Sequence, residues 1–245
     1  MSIINKINKT RDVLSIILND IDFDTSDISS LANEEISQLF NLTSDNEFIH
    51  SLGKGSCGCN FEVKHKIIPS YKLNIVYYNL QDTKVTKSLK DKIIKLYETN
   101  VFDKYSSLII IINEVISETI EKLVDEINIS LHDNLFELSD DLKKEMEENN
   151  YIIKKNCFKR CWMFNIDTLT INLKKHRLIS EHIPIRNDDD IQEILKKCNC
   201  KLHQLPVISR NDIMSKYVLG TPGEIIKISR TSKMTGNYPF YRFIK

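Results

Sequence analysis

Residues 107–113 read SLIIIIN, an unbroken apolar run. Side chains on a strand point alternately to its two faces, so successive isoleucines require apolar cover on both. That cover is available on either side in sequence. TKSLKDKIIKLYET (86–99) and VISETIEKLVDEI (115–127) both place apolar residues at helical spacing. Upstream, NFEVKHKII alternates Phe61, Val63 and His65 against Glu62, Lys64 and Lys66, the pattern of a half-buried strand, and KLNIVYYNL (72–80) reads as another. Downstream, CWMFNI completes the series. Strands alternating with helices give an α/β layout. Two further helices are expected before it, over the first 20 residues and over about 26–40, and the acidic stretch 130–150 reads as an insertion or exposed helix.

GKGSCGC (53–59) satisfies G-x-G-x-x-G at Gly53, Gly55 and Gly58. A dinucleotide site needs those glycines after a strand and at the head of a helix, where the pyrophosphate meets free N–H groups. Here they precede a strand. A P-loop fails as well, because Phe48 stands where its first glycine belongs and Gly55 follows Lys54. The stretch reads as a turn. The six cysteines fall as Cys57-x-Cys59, Cys157-x3-Cys161 and Cys198-x-Cys200, and only the middle spacing suits paired zinc thiolates. Glu62-x-Lys64 is half of a metal-dependent nuclease signature, with Asp45 the sole candidate for the missing carboxylate, and its plainer reading is the solvent face of a strand. No nucleophile–base pair or convergent carboxylate pair is legible, so the sequence assigns no catalytic, cofactor-binding or metal-binding residue.

Lys plus Arg and Asp plus Glu both total 34, but residues 171–245 hold 14 of the basic and 7 of the acidic ones, leaving 20 and 27 in the remainder. Opposite charge in two segments points to two domains, drawn here at 1–169 and 170–245. No stretch reaches the roughly 18–20 apolar residues of a membrane helix, and the N-terminus lacks the pattern of a secretory signal. An intracellular chain with reduced thiols is expected.

The second segment is the more specific. Asn187 is placed to cap a helix that carries Asp188–Asp190 in its first turn and Lys196 and Lys197 in its last. Pro206 holds Leu205 extended. A short helix over NDIMSKYVL stops at Gly220, and EIIKISR (224–230) and YPFYRFIK (238–245) form a terminal hairpin around Gly236. Ile225, Ile226 and Ile228 with Phe240, Tyr241 and Phe243 are more apolar surface than a domain of about 75 residues is expected to bury on itself.

The order and residues of this segment resemble the C-terminal domain of the fifth subunit shared by the nuclear RNA polymerases, a domain that stands alone as the small archaeal counterpart of that subunit. The resemblance rests on His176-x-Leu178-x3-His182, Gln204-Leu205-Pro206-x-Ile208 with Asp212, and Gly223-Glu224-Ile225-Ile226-Lys227-Ile228. It continues through Arg230-x-Ser232 and Gly236-x-Tyr238-x2-Tyr241-Arg242. Ser180 and Ile213 stand where the family has proline, and Leu219-Gly220 reverses its Gly-Leu. The first 170 residues match more loosely the α/β jaw domain of the eukaryotic form, which itself resembles a nuclease fold without the active site.

The resemblance implies an α/β, overall α+β, chain: a jaw-like domain followed by a small α+β assembly domain ending in an antiparallel hairpin. It implies a non-catalytic subunit without a cofactor, partnered by the largest polymerase subunit and by downstream DNA, and not by a membrane. His176, His182, Pro206, Arg230, Tyr238, Tyr241 and Arg242 are the expected docking residues. Localisation would be the nucleus in a cellular host, or the virion or a cytoplasmic replication site for a large DNA virus. The competing readings are a nuclease-like enzyme using Glu62 and Lys64, and a free nucleic-acid-binding adaptor.

Overall fold

A computed structural model describes residues 1–28, 31–42, 52, 56–81, 84–132, 136–151, 153–232, 234 and 236–245. Asp45, Gly53, Lys54 and Gly55 lie outside the described residues. The chain forms two compact units, one of residues 1–145 and 158–171, the other of 146–157 and 172–245.

In the first unit a mixed sheet runs β1 (Phe61–Lys64), β2 (Lys72–Tyr77), β3 (Ser107–Ile112), β4 (Cys161–Asn165) in spatial order. β1 is antiparallel to β2, and β2, β3 and β4 are parallel. The isoleucine run is β3, an interior strand with every residue buried. Register explains how both faces are used. Leu108 and Ile110 stand opposite Cys161 and Met163, and with Ile112 and Val76 they join the core beneath helices α3 (Leu89–Glu98) and α4 (Glu118–Leu131). Ile109 and Ile111 stand opposite Trp162 and Phe164 and point the other way. On that second face the Tyr77 hydroxyl meets Thr10 Oγ1 at 3.0 Å, which places α1 (Ile3–Asn19) over it.

Three local differences from the sequence expectations have physical causes. The second helix, α2, begins only at Asn33 and runs to Asn41, with the Glu35 carboxylate accepting from the Ala32 N–H at 2.8 Å to secure its start. Gly58 lies in a single 3-10 turn, Cys57–Cys59, where the Leu39 carbonyl occupies the space a Cβ would need. Close approach to another backbone, not a bound phosphate, explains that glycine. The acidic stretch is more than an exposed insertion. Phe136 and Leu142 are buried, the latter on helix α5 (Asp140–Glu148), and the Tyr105 hydroxyl accepts from the Ser139 N–H at 3.0 Å.

In the second unit the strand order is β5 (Glu181–Ile185), β7 (Ile225–Ser232), β8 (Gly236–Ile244), β6 (Val207–Ile208). β7 is antiparallel to both β5 and β8, and the short β6 runs parallel to β8. Helix α6 (Asp188–Lys197) is capped by Asn187 Oδ1 on the Asp189 N–H at 3.0 Å, and α7 (Ile213–Tyr217) by Asp212 on the Met214 N–H at 2.8 Å. Ile225, Ile226 and Ile228 are all buried within the chain, which corrects the expectation of surplus apolar surface on this strand. Alternation is the reason. Ile225 faces Ile191 and Leu205, while Ile226 and Ile228 face Ile208, Val218 and Ile244. Both sets of contacts come from within the second unit.

Candidate docking surface

The hairpin register decides which of the expected residues share a face. His182 stands opposite Ile228, and Ile228 opposite Phe240; Arg230 stands opposite Tyr238, and Ile226 opposite Arg242. Directly paired and alternate residues lie on one side, so His182, Arg230, Tyr238 and Arg242 surround Phe240. Contacts agree with the register. The Arg230 and Arg242 guanidinium carbons lie 4.6 and 5.4 Å from the Phe240 ring centroid. Arg242 also donates to the Val207 carbonyl at 3.3 Å. Among the described residues neither arginine has a carboxylate within ion-pair distance.

His182 Nδ1 lies 2.7 Å from the Ser180 carbonyl oxygen. Burial holds this imidazole below its ordinary value; the Ser180 carbonyl and Asp212 act upward, and the Arg242 and Arg230 charges downward. One carboxylate, Asp212, and two guanidinium groups, Arg242 and Arg230, thus act on His182. Tyr238 is 61% exposed beside Arg230. Guanidinium forks suit the two oxygens of a carboxylate, and a flat aromatic patch between them supplies contact area.

The other expected residues do not join this face. Tyr241 alternates to the opposite side, packed with Phe243 against the cluster of Ile191, Leu205 and Ile225. Pro206 lies just before the edge strand β6, its carbonyl accepting from the Phe243 N–H at 2.8 Å. His176 is exposed in a turn, where Nδ1 accepts from the Leu178 N–H at 3.3 Å.

Sequence reasoning missed the group that shapes the hairpin's entry. Glu224, buried to 1% exposure, pairs with Arg186 Nε at 2.8 Å and accepts from the Thr221 N–H at 2.8 Å. Arg186 in turn donates to the carbonyls of Val218 and Leu219 at 3.1 and 3.3 Å. Leu219 holds φ at +47°, a left-handed conformation at the position where the resemblance places a glycine. Gly220 cannot trade places with it, because a Cβ there would lie 2.6 Å from Ile244 Cδ1 and 3.0 Å from the Ser215 carbonyl oxygen. The reversed Leu-Gly order is therefore accommodated by arginine-bound carbonyls and by close packing. Glu224 was visible as a motif residue, but nothing in the sequence linked it to Arg186.

In the first unit, Glu62 and Lys64 are exposed on β1. The Glu62 carboxylate lies 3.2 Å from Lys72 Nζ, which also meets Asp103 at 2.6 Å. No cluster of three or more histidine, cysteine or acidic side chains fit for a metal occurs among the described residues. All six cysteines are free thiols.

Fold and surface together define a two-unit α+β protein with an arginine–aromatic face on the sheet of its second unit. Residues 171–244 match the family described as RNA polymerase Rpb5, C-terminal domain. Among related proteins, DNA-directed RNA polymerase subunit Rpo5 of Sulfurisphaera tokodaii is 34% identical over 76 residues, 31% of this chain and 89% of the relative. The Rpo5 subunit of Thermococcus kodakarensis is 34% identical over 73 residues, 30% of this chain and 88% of the relative. The subunit of DNA-directed RNA polymerases I, II and III named rpabc1 in Dictyostelium discoideum is 34% identical over 79 residues, 32% of this chain. That match spans 40% of the Dictyostelium protein's length. The chain belongs to the Rpb5/Rpo5 family of RNA polymerase subunits.

Proposed function

We propose that this protein is a non-catalytic subunit of a multisubunit DNA-directed RNA polymerase, in which residues 170–245 dock on the largest subunit. Residues 1–169 then form part of the jaw around downstream DNA. The observation that carries the reading is the match over 171–244 to polymerase subunits, the same residues that build the arginine–aromatic face. Carboxylates of the partner would supply ion-pair partners for Arg230 and Arg242, with Tyr238 as an apolar anchor. The polymerase's own chemistry resides elsewhere, and this chain contributes positioning and assembly. Its localisation follows that of the enzyme it joins.

The test is co-purification of tagged full-length protein with its polymerase. Arg230 and Tyr238 are exposed, so Arg230→Ala with Tyr238→Ala should leave the fold intact by circular dichroism. The same double variant should weaken capture of the largest subunit at least tenfold, since arginine and tyrosine are among the residue types that dominate interfaces. A folded double variant with undiminished capture places the docking surface elsewhere.

A further inference from the structure

Helix α6 ends in a turn that brings two cysteines together. The Cys200 N–H donates to the Leu195 carbonyl at 3.1 Å and the Asn199 N–H to the Lys196 carbonyl at 3.2 Å, with Asn199 at φ +48°. This is the paired closure of a Schellman turn, with asparagine in the left-handed position usually given to glycine. The turn leaves Cys198 and Cys200 on either side of the single left-handed residue Asn199, near enough for Cys198 to act electrostatically on the Cys200 thiol. Two virtual bonds of 3.8 Å, bent as in a turn, separate the Cα atoms by roughly 5–6 Å, within the span a disulfide requires. Cys198 is exposed and Cys200 half-buried, whereas Cys57, Cys59, Cys157 and Cys161 are buried. Beside Cys200 runs an open groove of about 600 Å³ lined also by Lys196, Lys201, Gln192 and Gln204.

We propose that Cys198 and Cys200 are a reversible oxidation site, converted to an intrachain disulfide by exchange with a small anionic disulfide of the glutathione class. Exposed Cys198 attacks first. Its thiolate bonds to one glutathionyl sulfur, the oxidant's S–S bond breaks, and one glutathione leaves. The Cys200 thiolate then bonds to the Cys198 sulfur and expels the second glutathione. Two protein thiols are oxidised, one disulfide is reduced to two thiols, and the two protons released by the protein are taken up by the glutathiones. Lys196 and Lys201 supply positive charge for the carboxylates of the incoming tripeptide. Burial, and then Cys198, raise the Cys200 thiol above the ordinary value, so Cys200 suits the resolving role rather than the attacking one. A bridge across so short a loop gains little from chain entropy, and exposed short-loop disulfides are the easily reduced kind.

The experiment uses the full chain equilibrated in glutathione and glutathione disulfide at graded ratios, then acid-quenched, alkylated and mapped by mass spectrometry. The expected product is a Cys198–Cys200 disulfide two hydrogens lighter than the dithiol, with loss of alkylation at both residues and full recovery in dithiothreitol. Cys200→Ser should instead accumulate a glutathione adduct on Cys198, and Cys200→Ala should do the same if serine perturbs the turn. A lasting adduct on wild-type Cys198 with Cys200 reduced overturns the proposal. So does a disulfide to any other cysteine, or no reaction at either thiol.

Discussion

Replacing Glu224 by alanine removes the carboxylate that Arg186 meets at 2.8 Å and strips the Thr221 N–H of its acceptor. Breaking a buried ion pair from one side costs about 3–5 kcal/mol when the remaining charge is stranded. Here the Arg186 side chain is 23% exposed and keeps two backbone carbonyls, so the penalty should be lower, about 2–4 kcal/mol. The natural assay is native-state amide exchange. The amides of Ile225–Ile228 lie in the strand that Glu224 precedes, and about 2–4 kcal/mol corresponds to a loss of protection of roughly 30- to 1000-fold. Trp162 is the sole tryptophan and belongs to the first unit, so its fluorescence transition in urea serves as an internal control. Glu224→Gln keeps an acceptor for Thr221 while losing the charge and should fall between wild type and alanine. Protection in Glu224→Ala within threefold of wild type would refute the reasoning, because it would mean the pair contributes no more than an exposed one.

Gly220→Ala should lower stability by about 1–3 kcal/mol, since its methyl group meets Ile244 and the Ser215 carbonyl; an unchanged melting temperature would contradict that packing. His182 has a depressed folded-state value, so between that value and the unfolded 6.5 the unfolded chain binds more protons. Stability should therefore be fully present above 6.5 and decline as pH falls below it, and His182→Gln should flatten that decline in denaturant titrations. Glu62 is held by Lys72 on an exposed strand face, so the protein with Mg²⁺ or Mn²⁺ should not cleave DNA or RNA. Cleavage that vanishes in Glu62→Ala would favour a nuclease.

The order of elements could be read from the chain because periodicity is a local property. Successive isoleucines at 109–112 required a strand covered on both faces, and β3 is one. Asn187, the acidic first turn and the closing lysines marked α6 at both ends, since capping and dipole effects act within a turn of the terminus. The motif residues of the last 75 positions pointed to the family by themselves. Other features depended on distance in space. The start of α2 falls at Asn33, where Glu35 satisfies a backbone donor. Tyr241 and Arg242 are neighbours in sequence, yet pleating sends them to opposite faces, and only strand register groups Arg242 with Arg230, Tyr238 and His182. Burial of Ile225, Ile226 and Ile228 comes from separate stretches of chain, with Ile191 and Leu205 packed on the first and Ile208, Val218 and Ile244 on the other two. The Arg186–Glu224 pair joins residues 38 apart. Local chemistry fixes what each segment becomes, whereas long-range closure selects which side chains meet, and the arginine–aromatic face is made of such meetings.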